Sequence, residues 1–204
     1  MSILEYNGGC VIAMAGKDCV AIASDHRLGV QLTTVAMDAT RIFPMHDKLY
    51  LGLTGLMTDI TTLDQLFRFR LEMYEMRENR KIKPKTFSNL VSSTLYGKRF
   101  GPYFSEPVIA GLDKDNKPFL CSMDLLGCIA EADDFAVAGT CAESLLGTCE
   151  TFYRPNLEPE DLFETVSQSL LAALDRDCIS GWGAVVHIIT KDGVTTRELD
   201  GRMD

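Results

Sequence analysis

Two neighbouring apolar segments near the start of the chain limit what it can fold into. CVIAMA (10–15) and CVAIAS (19–24) contain almost no polar residue, and Gly16-Lys17-Asp18 separates them. Strands with one face in water alternate apolar and polar residues, whereas strands without that alternation are buried on both faces. A short polar turn between two strands is typical of a hairpin. We therefore expect an antiparallel hairpin inside a layered structure, covered on both sides.

The rest of the chain alternates groups of strands with pairs of helices. Further strand patterns lie at 33–37, 41–43, 48–55, 107–113, 118–124, 135–139, 184–190 and 194–199. Helical spacing of apolar residues indicates helices at about 58–74, 86–96, from 142 to before Pro155, and from 158 onward. We expect 33–37 to pair with 41–43, and Thr58 to cap the first helix. Doubly buried strands with paired helices predict two sheets packed face to face, each covered by helices outside.

Length and charge narrow the class of protein. The 204 residues show no linker rich in Pro, Gly, Ser or charge, so a single domain over 1–204 is expected. A net charge of −9 disfavours binding to nucleic acid or to an anionic membrane surface. No apolar stretch reaches the ~20 residues of a membrane span, and MSILEYNGG lacks the features of a signal peptide. We expect a location in the cytoplasm and the nucleus.

Cysteine and histidine usage points to a reduced protein without a metal centre. The chain has seven cysteines, an odd number, with no C-x-x-C pair, and several lie inside apolar runs. Free cysteine behaves there as a small hydrophobic residue. None of the three histidines lies at ligand spacing from a cysteine or another histidine. We expect no bound metal and no cofactor.

Six stretches distributed over the whole chain together resemble one family. They are NGG with CVAIASD, RIFPM, LYLGLTGL, KRFGPYFSEPVIAGLD, AGTCAESL and DRDCISGWG. Each is weak alone, but the combination is similar to the β-type subunits of the 20S proteasome, and among them to a non-catalytic kind. The resemblance implies an α+β fold, the four-layer α-β-β-α sandwich of the N-terminal nucleophile hydrolases. It also implies neighbouring β subunits in a seven-membered ring, an opposite β ring and an adjacent α ring as partners.

The resemblance also identifies the position where a nucleophile would lie. Active members use an N-terminal threonine, whose hydroxyl attacks the scissile carbonyl while its own amine acts as general base. That threonine lies sixteen residues before an aspartate, which corresponds to Asp25 in IASDHR, so its position here is Gly9. Glycine has no hydroxyl or thiol. We therefore expect residues 1–8 to be a short leader that is not processed to expose a nucleophile.

The positions around the missing nucleophile are only partly preserved. The family's lysine, which tunes the amine, corresponds to Arg41, and arginine does not replace lysine in that role because it stays charged. The glycine that supplies the oxyanion hole corresponds to Gly55. We expect no catalytic residue in this chain, and we expect Asp25 to pair with Arg41. The degenerate positions that correspond to the active pattern are Gly9, Asp25, Arg41, Thr140 (a serine in the active pattern), Asp177 and Ser180.

Two other interpretations of these residues stay open. Cys10 would be a nucleophile of the same class if the chain were cleaved after Gly9. A shift of one residue along a strand turns the side chain to the other face, however, so burial of Cys10 in the core is the expectation. Two further hypotheses stay open for the whole chain: an active threonine or cysteine protease subunit, which would need a processed N-terminus bearing a nucleophile, or a self-standing amidohydrolase of the same fold. His187 is expected to be a satisfied strand histidine. For 174–180, where family members sometimes hold a structural cation, no ion is assigned.

Overall fold

The fold consists of two antiparallel sheets with helices on the outer face of each. A computed structural model describes residues 2–203; Met1 and Asp204, the ends of the predicted domain, lie outside the described residues. The strands are β1 Cys10–Ala15, β2 Val20–Asp25, β3 Leu28–Val30, β4 Thr33–Ala36, β5 Ile42–His46, β6 Leu49–Gly55, β7 Ser105–Leu112, β8 Pro118–Met123, β9 Ile129–Ala132, β10 Phe135–Gly139, β11 Ala184–Thr190 and β12 Gly193–Leu199. The helices are α1 Met57–Glu78, α2 Pro84–Tyr96, α3 Ala142–Phe152 and α4 Pro159–Leu174.

Both sheets have five strands and antiparallel neighbours throughout. The first has the order β10-β1-β2-β11-β12, and the second the order β5-β6-β7-β8-β9. The hairpin predicted from the two apolar segments is confirmed, because Val11 pairs with Ser24 and Ala15 with Val20. All six residues of β1 and all six of β2 are buried. This hairpin is therefore the centre of the first sheet.

The core has three parts that together define four layers. Successive residues of β1 point to opposite sides: Val11 and Ala13 pack between the two sheets, while Cys10, Ile12 and Met14 pack beneath α3 and α4. On the second sheet, β6 packs with residues of α1 and α2. The predicted α-β-β-α sandwich is thus confirmed. In residues 2–203, no helix has the length and apolar character needed to cross a membrane.

The expected pairing of 33–37 with 41–43 is wrong. β4 pairs with β3 in a separate two-stranded ribbon, while β5 joins β6 in the second sheet. β3 has three residues and β9 four, which is too short for a two-residue alternation to be recognised in the sequence. Neither strand was predicted.

The start of the first helix also differs from its prediction. α1 begins at Met57, with Leu56 rather than Thr58 at the N-cap position, and Leu56 makes no side-chain capping bond. The N–H of Met57 instead donates to the side-chain oxygen of Asn7 at 2.9 Å, and the amide nitrogen of Asn7 donates to Gly29 O at 2.9 Å. A residue of the expected leader therefore caps α1 and binds β3. Capping rules consider only residues next to the helix start, so they could not predict a cap from a residue fifty positions away in sequence.

Candidate functional site

A fully buried ion pair lies where β2 ends and β5 is about to begin. Arg41 Nη1 is 3.3 Å from Asp25 Oδ1, and both side chains are wholly inaccessible to solvent. The expected pairing is confirmed. The carboxylate also accepts backbone N–H groups from Cys10 and Gly181 at 3.0 Å and from Arg27 at 3.3 Å. Since a buried charge is tolerated only when paired and hydrogen-bonded, these amides replace the water that Asp25 has lost.

The guanidinium of Arg41 joins two segments of backbone, the residue before Gly9 and the end of β2. It donates to the carbonyl oxygens of Gly8 at 3.0 Å and Asp25 at 3.3 Å, and it also donates to that of Arg27. Its Nε is buried and has no hydrogen-bond partner within residues 2–203. Arg41 therefore holds the peptide group before Gly9, and it brings one unpartnered donor into the same space.

Gly9 lies directly against this guanidinium. Its φ is +107°, a conformation that residues with a side chain rarely adopt. A Cβ built on Gly9 would overlap Nε and Cζ of Arg41. The carbonyl of Gly9 accepts the N–H of Thr140 at 3.0 Å, so the backbone has little room to move away. Arg41 thus fills the volume that a side chain at position 9 would need, which the sequence did not predict.

The three other site residues named from the sequence meet beside Gly9. Thr140 Oγ1 and Ser180 Oγ each donate to Asp177 Oδ2 at 2.6 Å. Thr140 Oγ1 also lies 3.4 Å from Gly9 O. Both hydroxyl protons are directed at a carboxylate rather than at an amine. The arrangement holds the loop before β11 in place.

Gly55 ends β6 and also has a positive φ, +109°. It pairs with Ser105 of β7, and a Cβ here would overlap the carbonyl oxygen of Phe104. Close packing on β7 is therefore a sufficient reason for glycine at this position.

A second buried arginine was missed by the sequence reasoning. Arg27 is 1% exposed, and its guanidinium donates to Ile179 O at 2.9 Å, Thr34 Oγ1 at 3.0 Å and Gln31 O at 3.2 Å. It connects the loop before β11 to the β3–β4 ribbon through neutral acceptors. In the sequence, the only indication that Arg27 is buried was its position two residues after a strand that is buried on both faces.

Cys10 is core rather than site, as expected. It is 0% exposed and packs with Ile12 and Met14 beneath α3 and α4, on the face of β1 opposite to Arg41. Hydrogen bonding to the Cys141 thiol, together with burial, raises the pKa of the Cys10 thiol well above its ordinary value. A thiol that keeps its proton is a poor nucleophile.

His187 is satisfied within its strand pair, also as expected. Its Nδ1 is 2.8 Å from Thr196 Oγ1 across the β11–β12 pair, and burial lowers the pKa of the imidazole. No group of three or more His, Cys, Asp or Glu side chains within residues 2–203 is arranged to hold a metal ion.

Two antiparallel sheets packed face to face, each covered by helices, form the α-β-β-α sandwich of the N-terminal nucleophile hydrolases. The family described as "Proteasome subunit" matches residues 5–189, and the chain belongs to that family. It is 62% identical to "Probable proteasome subunit beta type-3" of Schizosaccharomyces pombe and 60% identical to "Proteasome subunit beta type-3" of Picea mariana, with 100% of both chains covered in each case. It is 58% identical to the protein of that name in Drosophila melanogaster, again over the whole of both chains. The resemblance to β-type subunits is confirmed.

We expect Asp25→Ala to destabilise the fold by about 3–5 kcal/mol, because it leaves the Arg41 charge buried and three amides without an acceptor. Incorporation into assemblies should fall accordingly, whereas peptidase turnover per assembled particle should not change. Denaturant unfolding and native gels measure the first effects, and fluorogenic peptides the last. Asp115→Ala, at an exposed turn, is the matched control. Reduced turnover in fully assembled, structurally intact particles would contradict a purely structural role.

We expect Gly9→Thr alone to remain uncleaved between residues 8 and 9. The threonine side chain displaces the Arg41 guanidinium, so the variant also loses about 3 kcal/mol or more of stability through the broken pair. Gly9→Thr with Arg41→Lys is the minimum combination for restoring processing. Intact-mass measurement and denaturant unfolding read out both effects. Gly147→Ala is the control, since a Cβ there meets nothing within 4 Å. Cleavage of the single variant would disprove the steric argument.

Proposed function

We propose that this chain is a non-catalytic structural β subunit of the 20S proteasome core particle. It helps to build the inner β ring, which encloses the chamber where ubiquitin-tagged and unfolded proteins are degraded. The observation that carries this proposal is the Arg41 guanidinium packed against Gly9, because it occupies the space of the nucleophile's side chain. Full-length similarity to proteins named proteasome subunit beta type-3 supports it.

The chemistry at the site argues against the alternative, an active threonine-type subunit. Removing the nucleophile from a catalytic unit removes nearly all of its rate enhancement, so the remaining members contribute little. The Gly8 carbonyl accepts a hydrogen bond from Arg41 and the Gly9 carbonyl accepts one from Thr140, so both are held by structural contacts within the fold. Asp25 keeps its charge balanced by Arg41 within the fold rather than tuning an amine.

Assembly with other proteasome subunits follows from membership of the family. For the finer arrangement, we propose β neighbours in a seven-membered ring, an opposite β ring and an adjacent α ring. Large apolar side chains on the surface support burial of several faces in such an assembly, since isolated proteins rarely expose extended apolar patches; the most exposed of them are Leu32, Val35, Met76 and Phe100. We propose a location in the cytoplasm and the nucleus, which the free cysteines support because reducing compartments keep thiols unpaired.

We expect the native protein to occur only in a large assembly, because obligate interfaces of this kind often leave no stable free protomer. Size-exclusion chromatography of cell extract should place it in a particle many times larger than the 22.6 kDa chain, together with further α and β subunits. Mass spectrometry of the co-purified chains identifies the partners. A well-folded monomer at native concentration, without ring subunits in a pull-down, would contradict the proposal.

We expect covalent probes directed at N-terminal threonine to label neighbouring subunits and to leave this chain unlabelled. Gly9 offers no hydroxyl, and its nitrogen stays in the peptide bond to Gly8. Intact-mass spectrometry of chains from probe-treated particles measures the labelling, with labelled neighbours in the same sample as the control. An adduct on Cys10, or a chain that begins at residue 9 or 10, would show that the site is active.

A further inference from the structure

A pocket lined by lysines is formed by residues that take no part in the site around Gly9. Its volume is about 290 Å³, and it opens between the β5–β6 turn, the α1–α2 connection and the β7–β8 turn. Ile82 and Leu112, each 2% exposed, contribute an apolar base together with Pro84. The polar residues that line the pocket are His46, Asp47, Lys48, Lys81, Lys83, Asp113 and Lys114.

Hydrogen bonds between the three connections fix the shape of this pocket. His46 Nε2 is 3.0 Å from the carbonyl oxygen of Ile82, and the N–H of Lys48 donates to His46 Nδ1 at 3.1 Å. The N–H of Leu112 donates to Lys48 O at 2.9 Å. Because Nδ1 accepts, Nε2 carries the single ring proton and donates it, so the imidazole is neutral. The pocket is therefore already formed without a ligand.

Two of the four lysines have no partner of their own. Lys48 Nζ donates to Asn116 Oδ1 at 2.8 Å, and Lys81 Nζ lies 3.0 Å from Glu75 Oε2. Within residues 2–203, the ammonium groups of Lys83 and Lys114 make neither an ion pair nor a hydrogen bond, although both residues line the pocket. They are free to bind an external anion.

The net charge around the pocket is positive, so the pocket attracts anions. Four lysines and two acids line it, and Glu75, which is paired with Lys81, is a third acid, so four positive charges face three negative ones. Lys83 is also the N-cap of α2, whose first turn contains no acidic residue. The positive end of the helix dipole adds to the lysine charge there. This concentration of positive charge is local, since the whole chain carries −9.

We propose that this pocket binds a glutamate- or aspartate-bearing segment of a partner subunit. The carboxylate lies between the ammonium groups of Lys83 and Lys114, and the methylene groups of the same segment pack against the hydrocarbon stems of these lysines. Lysine stems beneath a cationic rim suit a side chain that combines methylene groups with a carboxylate better than a free phosphate, which has no apolar part. The proposal rests on the proposed assembly function and adds the chemistry of one contact.

Zero-length carbodiimide coupling of the assembled particle tests the contact directly. The reagent activates a carboxylate, and a neighbouring lysine amine displaces the resulting urea to form an amide. We expect peptides in which Lys83 or Lys114 is joined to an acidic residue of another chain. Coupling of both lysines only to Asp47 and Asp113, or to nothing, would overturn the proposal. Binding of inorganic phosphate that protects both lysines without any coupling between chains would also overturn it.

Charge reversal provides the second measurement. Lys83→Glu with Lys114→Glu should reduce incorporation at least fivefold in competition with the wild-type chain. Lys117→Glu with Lys191→Glu, at exposed lysines that do not line the pocket, is the matched control and should incorporate normally. Equal incorporation of both double variants overturns the pocket proposal alone. A wild-type chain that enters no assembly contradicts the proposed function as well.

Discussion

The Asp25–Arg41 ion pair is the interaction on which the centre of this molecule depends. An isolated charge in a protein interior is costly, and each partner here is stabilised by more than the other's charge. Asp25 accepts three backbone amides, and Arg41 donates to three backbone carbonyls. These bonds connect the start of β1, the end of β2 and the loop before β11, so the pair positions the segments around Gly9 relative to one another.

Arginine at position 41 also determines what fits at position 9. Lysine concentrates its charge in one ammonium, whereas arginine spreads five N–H donors over a plane. At position 41 that plane covers the free face of Gly9 and binds the carbonyl before it. The residues at positions 9 and 41 are therefore linked: glycine at position 9 makes room for the guanidinium, and the guanidinium leaves no space for a side chain there. Arg27 extends this polar core to the β3–β4 ribbon.

Much of the fold could be predicted because it follows from local patterns. The unbroken apolar runs at 10–15 and 19–24 required cover on both faces, and helical periodicity located the elements that supply it. The errors lie where the pattern is short or the partner distant. Three residues in β3 are too few to show a period, and the cap of α1 comes from Asn7. Propensity rules use only residues that are close in the sequence, whereas these features depend on residues that are close in the folded structure.

The sequence by itself determined the layered fold, the family and the absence of a nucleophile at position 9, since glycine lacks the required atom whatever surrounds it. It also supported the pairing of Asp25 with Arg41. Only the tertiary structure decided that Arg41 fills the space beside Gly9, that Arg27 is buried, and that Lys83 and Lys114 share a pocket. Identity and chemistry are properties of single residues. Volume, hydrogen-bond partners and local charge arise from segments far apart in the chain that folding brings into contact.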